Sequence, residues 1–157
     1  MYPIRALALA LILATGSTAA DAGDPLTVLV TGANRGIGLE YARQFADKGY
    51  RVIGAARDPA KATDLAAVAD RVEALDVSDA ASVAALAARL DGETIDILVN
   101  NAGVFDRGDD TIEKVDFAQM EQTFAVNTLG PLRMVQALLL NLLKGQRKLI
   151  VNMSSQL

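Results

Sequence analysis

The sequence predicts an α/β protein built on a doubly wound parallel sheet. From Pro25 onward, short apolar runs rich in β-branched residues alternate with longer amphipathic stretches, as in successive strand–helix units. The short runs are almost continuously apolar, which is typical of strands covered by helices on both faces and therefore of three layers. A glycine-rich segment joins the first run to the first helical stretch.

The predicted elements follow one another in a regular order along the chain. The strands are predicted at 26–30, 51–55, 72–75, 95–99 and 149–153. The helical stretches between them are predicted at 37–48, 59–69, 79–90 and 117–143. Gly49 and Gly145 are expected to end the helices before them. Pro131 must break or kink the long last stretch, because it has no amide hydrogen and clashes with the preceding turn.

The composition excludes several kinds of catalytic site. The 157 residues include no Cys and no His, which rules out a thiolate nucleophile, a Cys or His metal site and a Ser-His-Asp triad. Fifteen basic and nineteen acidic residues give a net charge of −4, without a basic stripe, so nucleic-acid binding is disfavoured. With 52% hydrophobic residues, the chain has the composition of one globular domain, and no metal is expected.

The N-terminus has the three-part pattern of a secretory signal peptide. Arg5 precedes an apolar run of nine residues, 6–14, and small residues follow at 16–20. The run is shorter than the about 20 residues needed for a stable transmembrane helix. We expect residues 1–22 to direct the protein to the periplasm or out of the cell, and 23–157 to form the domain. The alternatives are an uncleaved anchor or a start codon placed too early, the latter leaving the protein in the cytoplasm.

The glycine-rich segment is a candidate phosphate-binding loop. Gly32, Gly36 and Gly38 lie between the first strand and the first helix, where the backbone turns tightly and can approach a diphosphate closely. The free amides and the dipole of the helix N-terminus favour an anion there. Glycine turns of this kind also exist for packing alone, so both interpretations stay open at this point.

The end of the second strand favours NADP over NAD as cofactor. Arg57 lies nineteen residues after Gly38, where a dinucleotide-binding fold places the residue that meets the adenosine ribose. Ala56 and Arg57 offer no carboxylate to a 2′-hydroxyl, and the guanidinium groups of Arg35 and Arg57 suit a 2′-phosphate. Alternatively, both arginines are ordinary solvated charges, and Asp58 partly neutralises Arg57.

Five motifs in a fixed order resemble the classical short-chain dehydrogenase/reductase family, and most of all its carbonyl-reductase-like, C-factor-like branch. The motifs are TGANRGIG at 31–38, Asp76 in LDV, NNAG at 100–103, Asn127 in VN, and VNMSS at 151–155. The resemblance covers 25–157. It implies a three-layer Rossmann-type fold with strand order 3-2-1-4-5, and this chain would lack the family's strands 6 and 7.

The resemblance also implies roles for individual residues. The cofactor-binding residues would be Gly32, Asn34, Arg35, Gly36, Ile37, Gly38, Arg57, Asp76, Val77, Asn101, Ala102 and Gly103. The diphosphate would be held by Gly32, Gly36, Ile37 and Gly38. Asp76 and Val77 would border the adenine. Asn127 would be the asparagine of the catalytic tetrad and Ser155 the serine that polarises the substrate. The alternatives are that Asp76 caps a helix, NNAG is a tight turn, Asn127 is a buried polar bridge and Ser155 is a turn residue.

The family's catalytic tyrosine and lysine, spaced Tyr-x-x-x-Lys, have no match in this sequence. Tyr2, Tyr41 and Tyr50 are each followed four positions later by a residue other than lysine. We therefore expect a fragment, inactive alone, of an NADP-dependent oxidoreductase that acts on a small carbonyl or alcohol and is a homo-oligomer at full length. The alternative is a dinucleotide-binding or interaction module without turnover.

Overall fold

The computed structural model describes residues 24–105 and 111–154, and the expected signal peptide lies outside them. Five parallel strands form one sheet in the order β3-β2-β1-β4-β5, which confirms the predicted fold class and strand order. The strands are β1 (Thr27–Thr31), β2 (Arg51–Ala56), β3 (Arg71–Ala74), β4 (Ile97–Asn100) and β5 (Leu149–Asn152). In the centre of the sheet, Val28 pairs with Val52 on one side and with Ile97 on the other.

Helices connect the strands on both faces of the sheet. They are α1 (Gly36–Asp47), α2 (Thr63–Ala66), α3 (Ala80–Arg89), α4 (Phe117–Phe124), α5 (Gly130–Ala137) and α6 (Leu139–Lys144). Gly49, with a positive φ of 77°, follows the end of α1, and Gly145 is the residue that ends α6, as predicted. Within the described ranges, no helix is long and apolar enough to cross a membrane.

The predicted helix at 59–69 is wrong. A 3₁₀ turn (Pro59–Lys61) and the single turn of α2 occupy that stretch. The backbone of Ala62 (φ −90°, ψ 50°) separates the two, and its N–H bonds the carbonyl of Pro59 three residues back. Ala62 is itself buried in the core under α1 and β2, so core packing there overrides the helical pattern of the sequence.

The long predicted helix at 117–143 is divided into three. A π-helical turn (Ala125–Leu129) follows α4, and Pro131 lies in the first turn of α5, where its missing N–H is tolerated. The predicted break or kink at Pro131 therefore takes the form of a π-helical turn just before it, with no non-helical residue between α4 and α5. A turn at Leu138 (φ −104°, ψ 14°) separates α5 from α6, and Leu138 and Leu142, four residues apart, are both buried in the core.

The core consists of one apolar cluster on each face of the sheet. Val28 and Val30 of β1 face the cluster under α1, whereas Leu29 between them faces the cluster under α3 and α5. The central strands β1 and β4 are buried along their whole length. The edge strand β5 departs from the prediction of strands covered on both faces, since Leu149 and Ile150 are exposed within the described structure. The buried centre holds the strand ends of the candidate site in fixed positions.

An ion-pair network joins β2, β3 and α3. Glu73, which is nearly buried, pairs with Arg71 and with Arg89, whose Nε lies 2.6 Å from the carboxylate. Glu93 accepts from Arg51 at 2.8 Å and from Arg71 at 2.5 Å. Burial raises the pKa of Glu93, but the hydrogen bonds and charges of Arg51 and Arg71 outweigh burial and leave it below its usual value. The network therefore favours the ionised carboxylate and stabilises this side of the sheet.

Candidate functional site

A groove of about 360 Å³ opens at the carboxyl ends of the strands, at the point where the chain leaves β1. All the cofactor-binding residues predicted from the sequence line this groove: Gly32, Asn34, Arg35, Gly36, Ile37, Gly38, Arg57, Asp76, Val77, Asn101, Ala102 and Gly103. In open α/β sheets, ligands bind in such a crevice beside the strand where the winding direction reverses. The fold therefore brings residues from four separate loops to one place.

The loop between β1 and α1 approaches the loop after β4 so closely that side chains would not fit. At Gly32 (φ +64°), an added Cβ would lie 2.8 Å from the Cα of Ala102. At Gly38, an added Cβ would overlap both the Asn101 side-chain nitrogen and the Gly32 carbonyl oxygen. Both glycines are therefore required for the two loops to pack together.

Asn101 and Thr31 fasten these two loops to each other. The Asn101 side-chain amide donates to the carbonyls of Thr31 (2.9 Å) and Gly32 (3.1 Å). The Thr31 hydroxyl accepts from the N–H groups of Asn101 and Ala102, both at 3.0 Å, and donates to the Val99 carbonyl at 3.3 Å. NNAG is therefore more than a tight turn, because its second asparagine holds the glycine loop in shape.

The N-terminus of α1 offers unsatisfied amides at the groove. Arg35, the N-cap residue, has an extended backbone and makes no side-chain capping bond, and the first turn of α1 contains no acidic residue. Gly36 (φ +57°) has open space where a Cβ would be, and Gly36 and Ile37 both line the groove. The first amides of a helix and its dipole attract an anion such as a diphosphate. The residues present therefore fit a dinucleotide phosphate.

Two arginine residues line the groove. Arg57 follows the last residue of β2, and Arg35 lies in the glycine loop, and both line the groove. Asp58, the neighbour that could have neutralised Arg57, pairs with Lys61, with 2.8 Å between Nζ and Oδ2. The end of β2 thus presents a positive charge to a ribose, and neither Ala56 nor Arg57 has a carboxylate side chain.

Asp76 lies in the loop after β3 and is held in an ionised state. Its Oδ1 accepts from the Ser78 N–H (2.9 Å) and the Ser78 hydroxyl (2.6 Å), while its own N–H donates to the Ser82 hydroxyl (2.9 Å). The Ser78 hydrogen bond lowers the pKa of Asp76, burial opposes this, and the charge of Arg57 lowers it further. Asp79 caps α3, accepting from the N–H of Ser82 at 3.2 Å, so Asp76 is not the helix cap.

Asn127 connects the π-helical turn to the loop after β4. Its Oδ1 accepts from the Val104 N–H at 2.9 Å, and its Nδ2 donates to the Val104 carbonyl at 2.8 Å. The side chain is a polar bridge, as the alternative interpretation held, but it is exposed and reaches the loop beside Gly103. Ser155, the other predicted catalytic residue, lies outside the described residues.

The comparison with protein families decides the family. The protein-family model described as short chain dehydrogenase matches residues 26–157 of this chain. The chain belongs to the short-chain dehydrogenase family. This membership confirms the resemblance drawn from the five motifs.

Curated short-chain dehydrogenases are similar to most of this chain. Galactitol 2-dehydrogenase from Agrobacterium fabrum is 40% identical over 134 residues, covering 82% of this chain and 52% of the relative. Human retinol dehydrogenase 8 is 38% identical over 144 residues, covering 85% and 45% respectively. The chain spans about half the length of these curated relatives.

Solved structures of the family have the same architecture. An NADPH-bound carbonyl reductase from chicken fatty liver has a TM-score of 0.75 and 34% identity, over 83% of this chain and 60% of its own. A short-chain dehydrogenase/reductase from Burkholderia multivorans with bound NADP has a TM-score of 0.68 and 35% identity, over 74% and 54%. A 3-ketoacyl-(acyl-carrier-protein) reductase from Brucella melitensis complexed with NADH has a TM-score of 0.66 and 33% identity, over 74% and 50%.

Five residues of this short-chain dehydrogenase groove were missed in the sequence. They are Ala56, Leu75, Val104, Gln122 and Val126. Four of them, all except Gln122, adjoin predicted site residues in the chain, and that adjacency was a usable signal. Gln122 of α4, which donates to the Ser78 hydroxyl at 3.4 Å, carried no such signal, because only the tertiary packing brings α4 to the groove.

Proposed function

We propose that this chain forms the NADP-binding part of an oxidoreductase that transfers hydride between NADPH and a small carbonyl or alcohol. The observation that carries the proposal is the pair of arginines, Arg35 and Arg57, that line the groove, while Asp58, the acidic residue next to Arg57, pairs with Lys61 outside it. Two of the similar structures contain NADPH or NADP, which supports the phosphorylated cofactor. A third contains NADH, so the preference is a property to measure.

The residues of the groove divide the binding of the cofactor among them. The amides of Gly36, Ile37 and Gly38 would bind the diphosphate, because they lie at the uncapped start of α1. Arg35 and Arg57 would bind the 2′-phosphate through charge-assisted hydrogen bonds. These contacts need no movement of the glycine loop, since Asn101 already holds it in place.

The ionised carboxylate of Asp76 serves the adenine end of the same cofactor. Its Oδ1 is taken by Ser78, so Oδ2 is the oxygen available to accept from an exocyclic amino group. Val77 and Val126 line the groove beside it and offer apolar surface to a base.

The nicotinamide end would lie near Gly103 and Asn127. When bound, NADPH supplies the hydride from its nicotinamide ring. Asn127 holds the backbone of Val104 through two hydrogen bonds and so fixes the wall of the groove at that end. Ser155 would polarise the substrate carbonyl. The chain contains no Tyr-x-x-x-Lys pair to deliver the proton, so we propose that these 157 residues bind the cofactor without turning over substrate on their own.

Titration calorimetry with NADPH and NADH tests the proposal. The native chain should bind NADPH more tightly, by roughly tenfold to hundredfold, as expected for a charge-assisted phosphate contact. Arg57→Asp should reduce or reverse this preference. Arg147→Asp is the matched control, because it changes the net charge by the same amount. Arg147 lies directly before β5, the edge strand that β1 and β4 separate from β2. Equal affinities for the two cofactors in the native chain would refute the proposal.

We also propose that residues 1–22 act as an export signal and that 23–157 is the functional domain. The pattern of Arg5, the apolar run 6–14 and the small residues after it supports this. N-terminal sequencing of the protein isolated from the producing cells tests it. A mature N-terminus near residue 23 is expected, and an intact Met1 in the cytoplasmic fraction would contradict it.

A further inference from the structure

Asp58 and Lys61 form an ion pair directly beside the arginine that faces the groove. The Lys61 ammonium lies 2.8 Å from Oδ2 of Asp58, and the two side chains are 84% and 48% exposed. Arg57, the residue before Asp58, lines the groove, whereas Asp58 and Lys61 do not contribute to its lining. The carboxylate nearest to Arg57 in the chain is therefore directed to a partner outside the site.

The local backbone accounts for this pairing. The 3₁₀ turn Pro59–Lys61 is closed by hydrogen bonds from the Lys61 N–H to the Asp58 carbonyl (3.2 Å) and from the Ala62 N–H to the Pro59 carbonyl (3.1 Å). In a 3₁₀ turn, side chains three residues apart lie on the same face. Pro59 restricts φ at the start of the turn, so the chain keeps Asp58 and Lys61 in register.

The charge of Asp58 matters because of where it lies. An acidic side chain at the end of the second strand accepts hydrogen bonds from a ribose 2′-hydroxyl and repels a 2′-phosphate. The hydrogen bond from Lys61 lowers the pKa of Asp58, desolvation opposes this, and the charge of Lys61 lowers the pKa further, so the carboxylate stays ionised. An ionised Asp58 released from Lys61 would be free to turn towards Arg57 or towards the phosphate.

Building on the proposed function, we propose that Lys61 is a positioning residue for cofactor specificity. By holding the Asp58 carboxylate, it keeps that negative charge from adding to the charge of Asp76 near Arg57, so that the guanidinium can bind the 2′-phosphate of NADP. Lys61 does not need to touch the cofactor for this effect. The preference for NADP over NAD thus depends on a pair of residues outside the groove as well as on the arginines within it.

The experiment compares two ligands that differ only in the phosphate. The 157-residue chain is immobilised at low density, and the dissociation constants of 2′-phospho-ADP-ribose and ADP-ribose are measured by surface plasmon resonance. Lys61→Met should reduce the preference for the phosphorylated ligand by roughly threefold to tenfold, the range for an exposed charge interaction. ADP-ribose affinity should change less than twofold, because the diphosphate and adenine contacts are intact.

Three further measurements separate positioning from a general charge effect. Lys61→Arg should retain the native preference, because the guanidinium can still pair with Asp58. Asp58→Asn in the Lys61→Met background should restore most of the preference, since the carboxylate that opposes the phosphate is gone. Raising the salt concentration to about 0.5 M should shrink the difference between native and Lys61→Met, because exposed charges are then screened within a few ångströms.

The outcomes distinguish this inference from the proposed function. If the native chain binds neither ligand, the proposed function itself fails. If the native chain prefers 2′-phospho-ADP-ribose but Lys61→Met leaves that preference unchanged, only the role of Lys61 is overturned. If Lys61→Met lowers the preference and Asp58→Asn does not restore it, Lys61 acts by its own charge on the phosphate and the positioning role is overturned.

Discussion

Replacement of Gly38 by alanine should damage both the stability of the domain and its groove. The new Cβ would overlap the Asn101 side-chain nitrogen and the Gly32 carbonyl oxygen, and the oxygen belongs to rigid backbone. Asn101 would have to move and lose its hydrogen bonds to Thr31 and Gly32, at about 1 kcal/mol each. Overpacking costs about 1–3 kcal/mol, and the better helix propensity of alanine returns about 1 kcal/mol. The net loss in the free energy of unfolding is about 3 kcal/mol, which corresponds to roughly 10 °C in Tm for a domain of this size.

Thermal melting, followed by circular dichroism at matched protein concentration, tests the predicted decrease in Tm. Titration with 2′-phospho-ADP-ribose tests whether the groove still binds its ligand. Gly49→Ala is the matched control, because Gly49 also has a positive φ but no neighbouring atom within 4 Å of an added Cβ. That variant should lose only about 1 kcal/mol and keep its affinity. Gly38→Ala should bind roughly tenfold more weakly or worse, because the loop amides are displaced. A Gly38→Ala chain that melts and binds like the native one would refute the close packing of the two loops.

Three other predictions follow from the site, the ion pairs and the exposed surface. The 157-residue chain should oxidise no NADPH above background with simple ketones or aldehydes in an absorbance assay, and clear turnover would show that another residue supplies the proton. Because the pKa of folded Glu93 is below its unfolded value, its contribution to stability is present above about pH 4.3 and is lost as pH falls through the folded pKa. In Glu93→Gln the free energy of unfolding, measured in urea, should therefore fall less steeply as the pH is lowered below about 4.3. The same pH dependence as in the native chain would contradict a role of Glu93 in the ion-pair network. The exposed side chains of Leu140, Leu143, Leu149 and Ile150 should make the chain oligomeric or aggregated in light scattering, whereas a monomer that melts sharply would contradict this.

The sheet was predictable because burial on both faces leaves a direct trace in the sequence. Runs such as 26–30 are rich in apolar and β-branched residues, and the observed strands begin and end within two residues of the predicted ones. The glycine loop and NNAG were predictable for a related reason, since close backbone contact permits few residues at Gly32 and Gly38. Local sequence therefore determines these parts of the fold and of the groove.

Apart from the change at Pro131, the divisions of the helices were not predictable, because they depend on distant packing. The five leucines between 138 and 143 formed an apolar surface too wide for one helical face. In the structure Leu138 and Leu142, which are four residues apart and share one helical face, are buried, while Leu139 and Leu140 stay exposed. Likewise, neither the hydrogen bonds of Asn127 to Val104 nor the position of Gln122 follows from helical periodicity, since both require the loop after β4 to be in place.

The groove has an interior that is fixed by a continuous set of hydrogen bonds. Asn127 holds Val104 from the side of the π-helical turn, and Asn101 in the same loop holds Thr31 and Gly32 of the glycine loop. A change at either asparagine therefore alters the shape of the loop on which both ends of the groove depend. We therefore expect a substitution of Asn101 to weaken the binding of NADP and of NAD by a similar factor.

The ribose end of the groove has a different construction. Arg57 and Asp58 lie directly before the short 3₁₀ turn that contains Lys61. All three side chains are exposed, and none of them takes part in the hydrogen bonds that join the glycine loop to the loop after β4. Exposed ion pairs contribute at most about 1 kcal/mol to stability, so substitutions here leave the frame of the groove intact. Discrimination between a 2′-phosphate and a 2′-hydroxyl is therefore separable from binding of the common part of the cofactor. It follows that Arg57→Asp should change the ratio of the two affinities while the melting temperature stays within about 3 °C of the native value.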